Sequence, residues 1–167
     1  GRAAEEGHGG KAGPDGDGCH GRDRQVKQVT GSDAASRLSP LPDGVGVMSI
    51  GKRPALLEAA YPLALLGFED CALEAQATIS LPDWLEEEAT LPGGSFVALH
   101  ESVIIGYSGL MDHDSDGAAE DGLTVVAREW RGQGLCTALK QRELEWARTH
   151  GVREVITWTQ KGNAGMR

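Results

Sequence analysis

Cysteines and long apolar runs are scarce in this chain of 167 residues. The three cysteines, Cys19, Cys71 and Cys136, are too few and too scattered for a disulfide framework or a closely spaced metal-binding pair. This usage is typical of reduced thiols in a cytoplasmic protein. No run of eighteen apolar residues occurs, and the first ten residues lack the basic stub and apolar stretch of a signal peptide. We therefore expect neither a disulfide scaffold nor a membrane-spanning helix.

Basic residues are also in the minority, with 16 Lys and Arg against 25 Asp and Glu and a net charge of −9. The charge is uneven, because residues 44–127 carry a net −12 whereas residues 128–167 carry a net +4. Such a chain lacks a uniformly basic surface, so we expect no nucleic-acid partner. The distribution instead favours a local anion site in residues 128–167.

Glycine is abundant only at the start, where residues 1–31 hold nine of the 24 glycines. Segments such as residues 13–18 cannot bury enough apolar area to offset the entropy of an ordered backbone. We predict that residues 1–43 are a disordered Gly-rich tail or linker and that residues 44–167 form the folded domain.

The pattern of residues 44–167 predicts strands and helices in mixed order. Residues 45–50, 95–100, 103–110, 123–127 and 154–159 read as strands, and residues 54–66 have helical spacing of Leu and Ala. A second helix begins at Ser80, and we interpret its three glutamates, residues 86–88, as a solvated face. A third helix runs from Gly134 to His150 and ends at Gly151. The predicted order is β-α-α-β-β-β-α-β.

An acidic loop at residues 112–117 resembles half of a calcium site. It has the carboxylates and the glycine of an EF-hand loop, but the twelfth position is Leu123 instead of Glu and strands flank it. A solvated turn is the better interpretation, and we predict no metal ion.

The turn between the strand at 123–127 and the third helix has the sequence Arg-Gly-Gln-Gly. Amides at a helix start, with the positive end of the helix dipole, form an anion site that glycines leave open. The turn lacks the third glycine of a dinucleotide fingerprint, which is replaced by Thr137, and the chain has no Gly-Lys-Ser/Thr of a P-loop. A dinucleotide-binding domain remains a distant alternative.

The same residues resemble the acetyl-CoA site of the GNAT superfamily of N-acyltransferases. The resemblance covers roughly residues 45–167 and rests on Asn163, on the final strand at 155–158 and on the run Leu123-x-Val125-x5-Arg131-Gly132-Gln133-Gly134-Leu135-x3-Leu139. It implies an α+β fold with a central mixed twisted sheet flanked by helices. The family's closing strands are not found in the sequence, so we predict a domain that is incomplete at its C-terminus, with one edge of its last strand exposed.

The resemblance also implies a set of cofactor contacts. The pantetheine arm would pair with the strand at Val125, Val126 and Ala127, and Asn163 would contact the same arm. The pyrophosphate would lie on the turn and the helix start, at Arg131, Gly132, Gln133, Gly134, Leu135, Cys136 and Thr137. Cys136 replaces the family's usual Gly or Ala, a small change in volume.

Catalysis is less fully specified. An amine must lose a proton before it attacks the thioester, and Glu120 is the candidate base, with Asp121 as a competitor and a solvated loop carboxylate as the other interpretation. A backbone N–H of residues 125–127 would stabilise the oxyanion. The family's usual tyrosine acid has no counterpart, because the only tyrosines are Tyr61 and Tyr107.

The predicted function is transfer of an acetyl group from acetyl-CoA to a primary amine of a small molecule or peptide, in the cytoplasm. The alternative is a non-catalytic acyl-CoA-binding module or one half of a tandem GNAT protein, and a homodimer is also open.

Overall fold

The computed structural model describes residues 22–29, 38–51, 53–71, 79–113 and 117–160. Within them lie six strands and three α-helices. In chain order these are β1 (Arg22–Gln28), β2 (Val45–Ser49), α1 (Pro54–Cys71), α2 (Leu81–Glu88), β3 (Phe96–His100), β4 (Val103–Asp112), β5 (Ala118–Val126), α3 (Leu135–Thr149) and β6 (Glu154–Gln160), with a short 3-10 helix at Arg128–Trp130 before α3.

The strands form one sheet in the order β1-β6-β5-β4-β3-β2. Neighbouring strands are antiparallel except β5 and β6, which are parallel. A tight hairpin joins β3 to β4, and its two turn residues, Glu101 and Ser102, have the positive φ angles that such turns require. Parallel strands cannot be joined this way, so α3 crosses over between β5 and β6. The mixed sheet and α+β class are those predicted.

Local signals fix two of the helix ends. Ser80 caps α2 by accepting a hydrogen bond from the Asp83 amide, and proline occupies its first turn, as predicted. Gly151 has a φ of +80° directly after the end of α3, which is the usual left-handed stop of a helix.

The two faces of the sheet are covered by different helices. On one face α1 and α2 pack over a core that includes Ala60, Ala64, Trp84, Tyr107 and Val125. On the other face α3 packs over Ala98, Ile105, Val126, Leu135 and Leu139. Side chains alternate between the faces along each strand, so neighbours in β5 serve different cores.

A buried carboxylate joins α2 to the sheet. Glu88 is 8% exposed and accepts hydrogen bonds from the hydroxyls of Ser95 and Tyr107. Burial raises the pKa of Glu88, and these two donors oppose the shift. The prediction of a solvated face is therefore wrong for Glu88. Glu88 lies four residues after the buried Trp84 and therefore on the packed side of α2. This spacing is the sequence signal that indicates burial of Glu88.

The predicted order of elements from β2 to β6 is confirmed. The helix predicted over residues 54–66 continues to Cys71. The acidic loop at 112–117 lies partly outside the described residues. Among those that are described, no helix is both long enough and apolar enough to cross a membrane.

Strand β1 departs from the sequence prediction. Residues 22–28, predicted as tail, pair antiparallel with all of β6 and cover the edge that was expected to be exposed. Residues 24–28 keep their side chains exposed, so the strand is attached mainly through its backbone and shows no apolar alternation. The glycine-rich sequence that precedes β1 is typical of a disordered tail and gave no sign of a strand.

Replacing Gly109 with alanine tests the packing of α2 on β4. An added Cβ would lie 2.9 Å from Glu88 Oε1 and 3.0 Å from Ser95 Oγ, and closer still to the Tyr107 hydroxyl. We expect G109A to lower the free energy of unfolding by about 1–3 kcal/mol, measured by urea denaturation. The control is G46A, where an added Cβ meets nothing within 4 Å. Equal stability of the two variants would contradict this packing.

Candidate functional site

A gap opens between β5 and β6. Their parallel ladder joins residues 118–121 to residues 154–157 and ends at the pair Asp121 and Thr157. Beyond this point β5 continues to Val126 beside β4, while β6 continues to Gln160 beside β1. The two strands are thus neighbours at one end and separate at the other.

A bulge in β5 lies where the strands part. Leu110 of β4 pairs with Asp121 and Gly109 pairs with Leu123, so Gly122 is an extra residue in β5. A bulge of this kind bends its strand and increases the local twist. Its position directly after the last ladder pair accounts for the turning of β5 away from β6.

The backbone of β5 presents alternate residues to this gap. The Ala127 amide donates to the Ile105 carbonyl of β4 over 2.9 Å. In an antiparallel pair, bonding edges alternate, so the backbone groups of Val125 also face β4 and those of Thr124 and Val126 face the gap. Of the three strand residues expected to contact a pantetheine arm, Val126 therefore directs its backbone amide toward the gap.

The Arg-Gly-Gln-Gly turn leads from this strand to the start of α3. Gly132 and Gly134 have φ angles of +75° and +83°, and an added Cβ at either would meet nothing within 4 Å. Glycine is thus required by the backbone conformation, and the space above the turn is open. No side chain caps the helix at Gly134. Leu135 is 1% exposed and anchors the helix start in the core.

The start of α3 leaves three backbone amides outside the helical hydrogen-bond ladder. The Ala138 amide makes the first hydrogen bond of the helix, to the Gly134 carbonyl, so the amides of residues 135–137 precede the intrahelical ladder. Cys136 is half-buried, and burial raises the pKa of its thiol. Thr137 is exposed beside it. Amides at a helix start and the helix dipole attract a phosphate group.

Arg131 ties the turn to two other elements. Its Nε donates to the Val126 carbonyl over 2.9 Å, and its Nη2 lies 2.5 Å from Asp70 Oδ2 at the end of α1. Arg128 also contacts Asp70, at 2.9 Å. The hydrogen bonds from Arg131 and then Arg128 lower the pKa of the Asp70 carboxyl. The turn is thus held against both β5 and α1.

The remaining predicted contacts lie near or outside this region. Gln133 donates to the Glu129 carbonyl over 3.3 Å and so folds back on the turn. Asn163 lies outside the described residues.

Glu120 and Asp121 point to opposite faces of β5. Glu120 is half-buried on the side of α1 and α2, where its charge, after burial and Asp83, contributes to raising the pKa of Glu87. Asp121 is 6% exposed and contacts Lys140 of α3. An ion-paired carboxylate on the α3 face of the sheet is poorly placed to take a proton on the opposite face. Glu120 therefore remains the candidate base.

A second carboxylate, that of Glu143, also contacts Lys140 on the α3 face of the sheet. Glu143 Oε2 lies 3.5 Å from Lys140 Nζ, and Glu143 Oε1 has no hydrogen-bond partner among the described residues. Burial raises the pKa of Glu143 to about 8, with Asp121 adding to the shift and Lys140 opposing it. Glu143 is therefore mainly protonated at neutral pH, which leaves one positive and one negative charge in the cluster.

No group of three or more His, Cys, Asp or Glu residues in the described ranges is arranged to hold a metal ion. Two histidines contact aromatic rings: His100 lies 4.8 Å from Trp130 and His150 stacks on Trp146 at 4.1 Å, measured between ring centroids.

A comparison with protein families matches the part of the chain that contains this site. The family described as the acetyltransferase (GNAT) family matches residues 57–167. No curated protein matches the chain.

Solved structures share the fold. A GCN5-related N-acetyltransferase from Sphaerobacter thermophilus has 21% identity and a TM-score of 0.67, over 86% of this chain and 45% of that chain. A tandem GNAT protein of the clavulanic acid biosynthesis pathway has 21% identity and a TM-score of 0.63, over 87% and 46%. An aminoglycoside acetyltransferase from a soil metagenomic sample has 18% identity and a TM-score of 0.58, over 74% and 83%. The chain thus spans less than half the length of the first two.

The raised pKa of Glu143 makes stability depend on pH. The folded pKa of about 8 exceeds the ordinary value of 4.5, so this contribution is fully present below about pH 4.5 and is lost as the pH rises through about 8. Wild-type protein should lose up to about 1.4 kcal/mol per pH unit between the two pKa values through this group. We expect E143Q to show a flatter dependence of unfolding free energy between pH 5 and 8.5.

The control for this prediction is E145Q, at an exposed position of α3 that pairs only with Arg142 among the described contacts. It should follow the wild-type profile. Parallel profiles for E143Q and wild type would contradict the assignment.

Proposed function

Because the chain belongs to the GNAT family of acetyltransferases, we propose that it transfers an acetyl group from acetyl-CoA to a primary amine. The observation that carries the proposal is the junction of a gap between two parallel strands with an uncapped helix start. A thioester with a long polar arm and a pyrophosphate fits such a junction. The arm matches the open strand edge, and the pyrophosphate matches the helix start.

The strand and the turn would hold the two ends of the cofactor. The gap-facing amide of Val126 pairs with the pantetheine arm, and the amides of residues 135–137 bind the pyrophosphate above Gly132 and Gly134. Arg131 adds a positive charge and keeps the turn in place through the Val126 carbonyl. Asn163 is proposed as a further contact to the arm.

The reaction requires a base on the acceptor side. Glu120 takes a proton from the acceptor ammonium, and the neutral amine then attacks the thioester carbon. A gap-facing backbone N–H of β5 stabilises the oxyanion. The carbon–sulfur bond breaks, and CoA leaves as a thiolate that takes up a proton to give the thiol.

The acceptor side is acidic. Burial, and then the charges of Asp83 and Glu120, raise the pKa of Glu87 on α2. A cationic amine is attracted to such a surface, whereas a polyanion is repelled. We therefore propose a small-molecule or peptide amine as acceptor, with no metal and no nucleic acid. The few scattered cysteines favour a cytoplasmic setting.

A non-catalytic acyl-CoA-binding module is the second candidate. The tandem GNAT protein resembles this chain over 46% of its own length, which supports the reading that the chain corresponds to one unit of a tandem protein. A homodimer would supply a second unit in another way. In either arrangement one unit can retain the cofactor site without catalysis.

Both candidate functions require CoA to bind, so the first test measures CoA binding. Removing the guanidinium in R131A removes a positive charge and frees the turn, so we expect the Kd for CoA to rise about three- to tenfold in calorimetry. The control is R142A, whose side chain contacts Glu145 further along α3. Unchanged affinity in R131A, with R142A also unchanged, would contradict the pyrophosphate assignment.

Catalysis is tested by thiol release from acetyl-CoA with a panel of cationic amines. Loss of the base in E120Q should lower kcat/KM by about a hundredfold while leaving the Kd for CoA unchanged. The control is E86Q, at an exposed position of α2. Full activity in E120Q would remove Glu120 as the base. Release by wild-type protein no faster than background, with CoA still bound, would favour the non-catalytic candidate.

A further inference from the structure

The end of the β5–β6 ladder is crossed by a polar contact. Asp121 and Thr157 form its last pair, and β5 bulges at Gly122 immediately afterwards. Both side chains point toward α3, away from the face on which Glu120 lies. The contact thus lies on the α3 face of the sheet, at the point where the two strands separate.

One carboxylate oxygen joins three elements there. Asp121 Oδ2 accepts a hydrogen bond from the Thr157 hydroxyl of β6 over 3.2 Å and also contacts Lys140 Nζ of α3. The Asp121 side chain is 4% exposed and that of Lys140 is 22% exposed. We call these three residues, Asp121, Lys140 and Thr157, the clasp.

The clasp is not needed to attach α3 to the sheet. Leu135 and Leu139, at 1% and 0% exposure, already bury the helix in the core. A buried ion pair adds little net stability, because its desolvation cost offsets the attraction between the charges. It does restrict geometry, since its partners must meet at one position.

We propose that the clasp is a positioning device that sets the separation of β5 and β6 and thereby aligns the pantetheine gap with the pyrophosphate site. This inference rests on the proposed function. Lys140 lies five residues after Leu135, or about 7.5 Å along the helix axis. Fixing Lys140 against the last ladder pair therefore fixes how far the helix start lies from the gap. A cofactor that must contact both places is sensitive to this distance.

The role of Glu143 makes the clasp testable without leaving a charge unpaired. Glu143 and Lys140 lie 3.5 Å apart on the same helix. Burial and, after it, the Asp121 charge raise the pKa of Glu143, so loss of that charge in D121N favours the ionised form of Glu143, which then pairs with Lys140. The substitution thus removes the ion pair between elements and leaves a pairing within α3. T157V removes the hydroxyl with little change of volume and breaks the bond on the β6 side.

Two ligands distinguish a positioning role of the clasp from a general effect on stability. CoA spans the gap and the helix start, whereas 3′-phosphoadenosine 5′-diphosphate has the pyrophosphate but no pantetheine arm. We expect T157V and D121N to raise the Kd for CoA about tenfold and to change the Kd for the shorter ligand less than about twofold. T157S keeps the hydroxyl and should retain wild-type affinity for both. Calorimetry on the whole chain gives these values, and circular dichroism checks that each variant is folded.

The matched control is T149V, which removes a hydroxyl whose hydrogen bonds, among the described residues, are to its own helix and to His150 at the end of α3. It should bind both ligands as wild type does. Equal weakening of both ligands in T157V and D121N, or no weakening of either, overturns the clasp while leaving the proposed function intact. Binding of neither ligand by wild-type protein overturns the proposed function itself.

Discussion

The parallel pairing of β5 with β6, limited to four residues of each strand, is the constraint on which the rest of the site depends. A parallel pair needs a crossover, so α3 must begin near the end of β5 and return the chain to the start of β6. This requirement places a helix start close to the end of β5. The bulge at Gly122 then turns β5 toward β4 and keeps the edge open.

The charged groups between the sheet and α3 reflect the energetic cost of placing charge in a low-dielectric interior. Three ionisable side chains from β5 and α3 lie together, and a fully ionised set would carry one excess negative charge. Retaining a proton on Glu143 removes the excess and keeps the Lys140 ammonium matched to one carboxylate. On the opposite face, the Glu88 carboxylate is instead balanced by two hydroxyl donors. The two faces therefore use different means to bury a carboxyl group.

Much of the fold and of the anion site could be predicted from the sequence, because both depend on local chemistry. The Ser80 cap, the glycines of the Arg-Gly-Gln-Gly turn and the alternation in β3 and β4 each follow from a few adjacent residues. Which face of the sheet Glu120 and Asp121 each take depends on strand register and on the packing of α3, neither of which has a local signature. Strand β1 escaped prediction because backbone pairing leaves no apolar pattern in an exposed edge strand.

The pairing of β1 with β6 has a kinetic consequence. Gln28 and Glu154, which face one another across this pair, are 126 positions apart in the chain. Closing so long a loop is entropically slow compared with closing the hairpin between β3 and β4, and the exposed side chains of β1 return little burial energy for it. The outermost strand is thus expected to join a sheet that has already formed, and its amides to exchange with solvent sooner than those of the central strands.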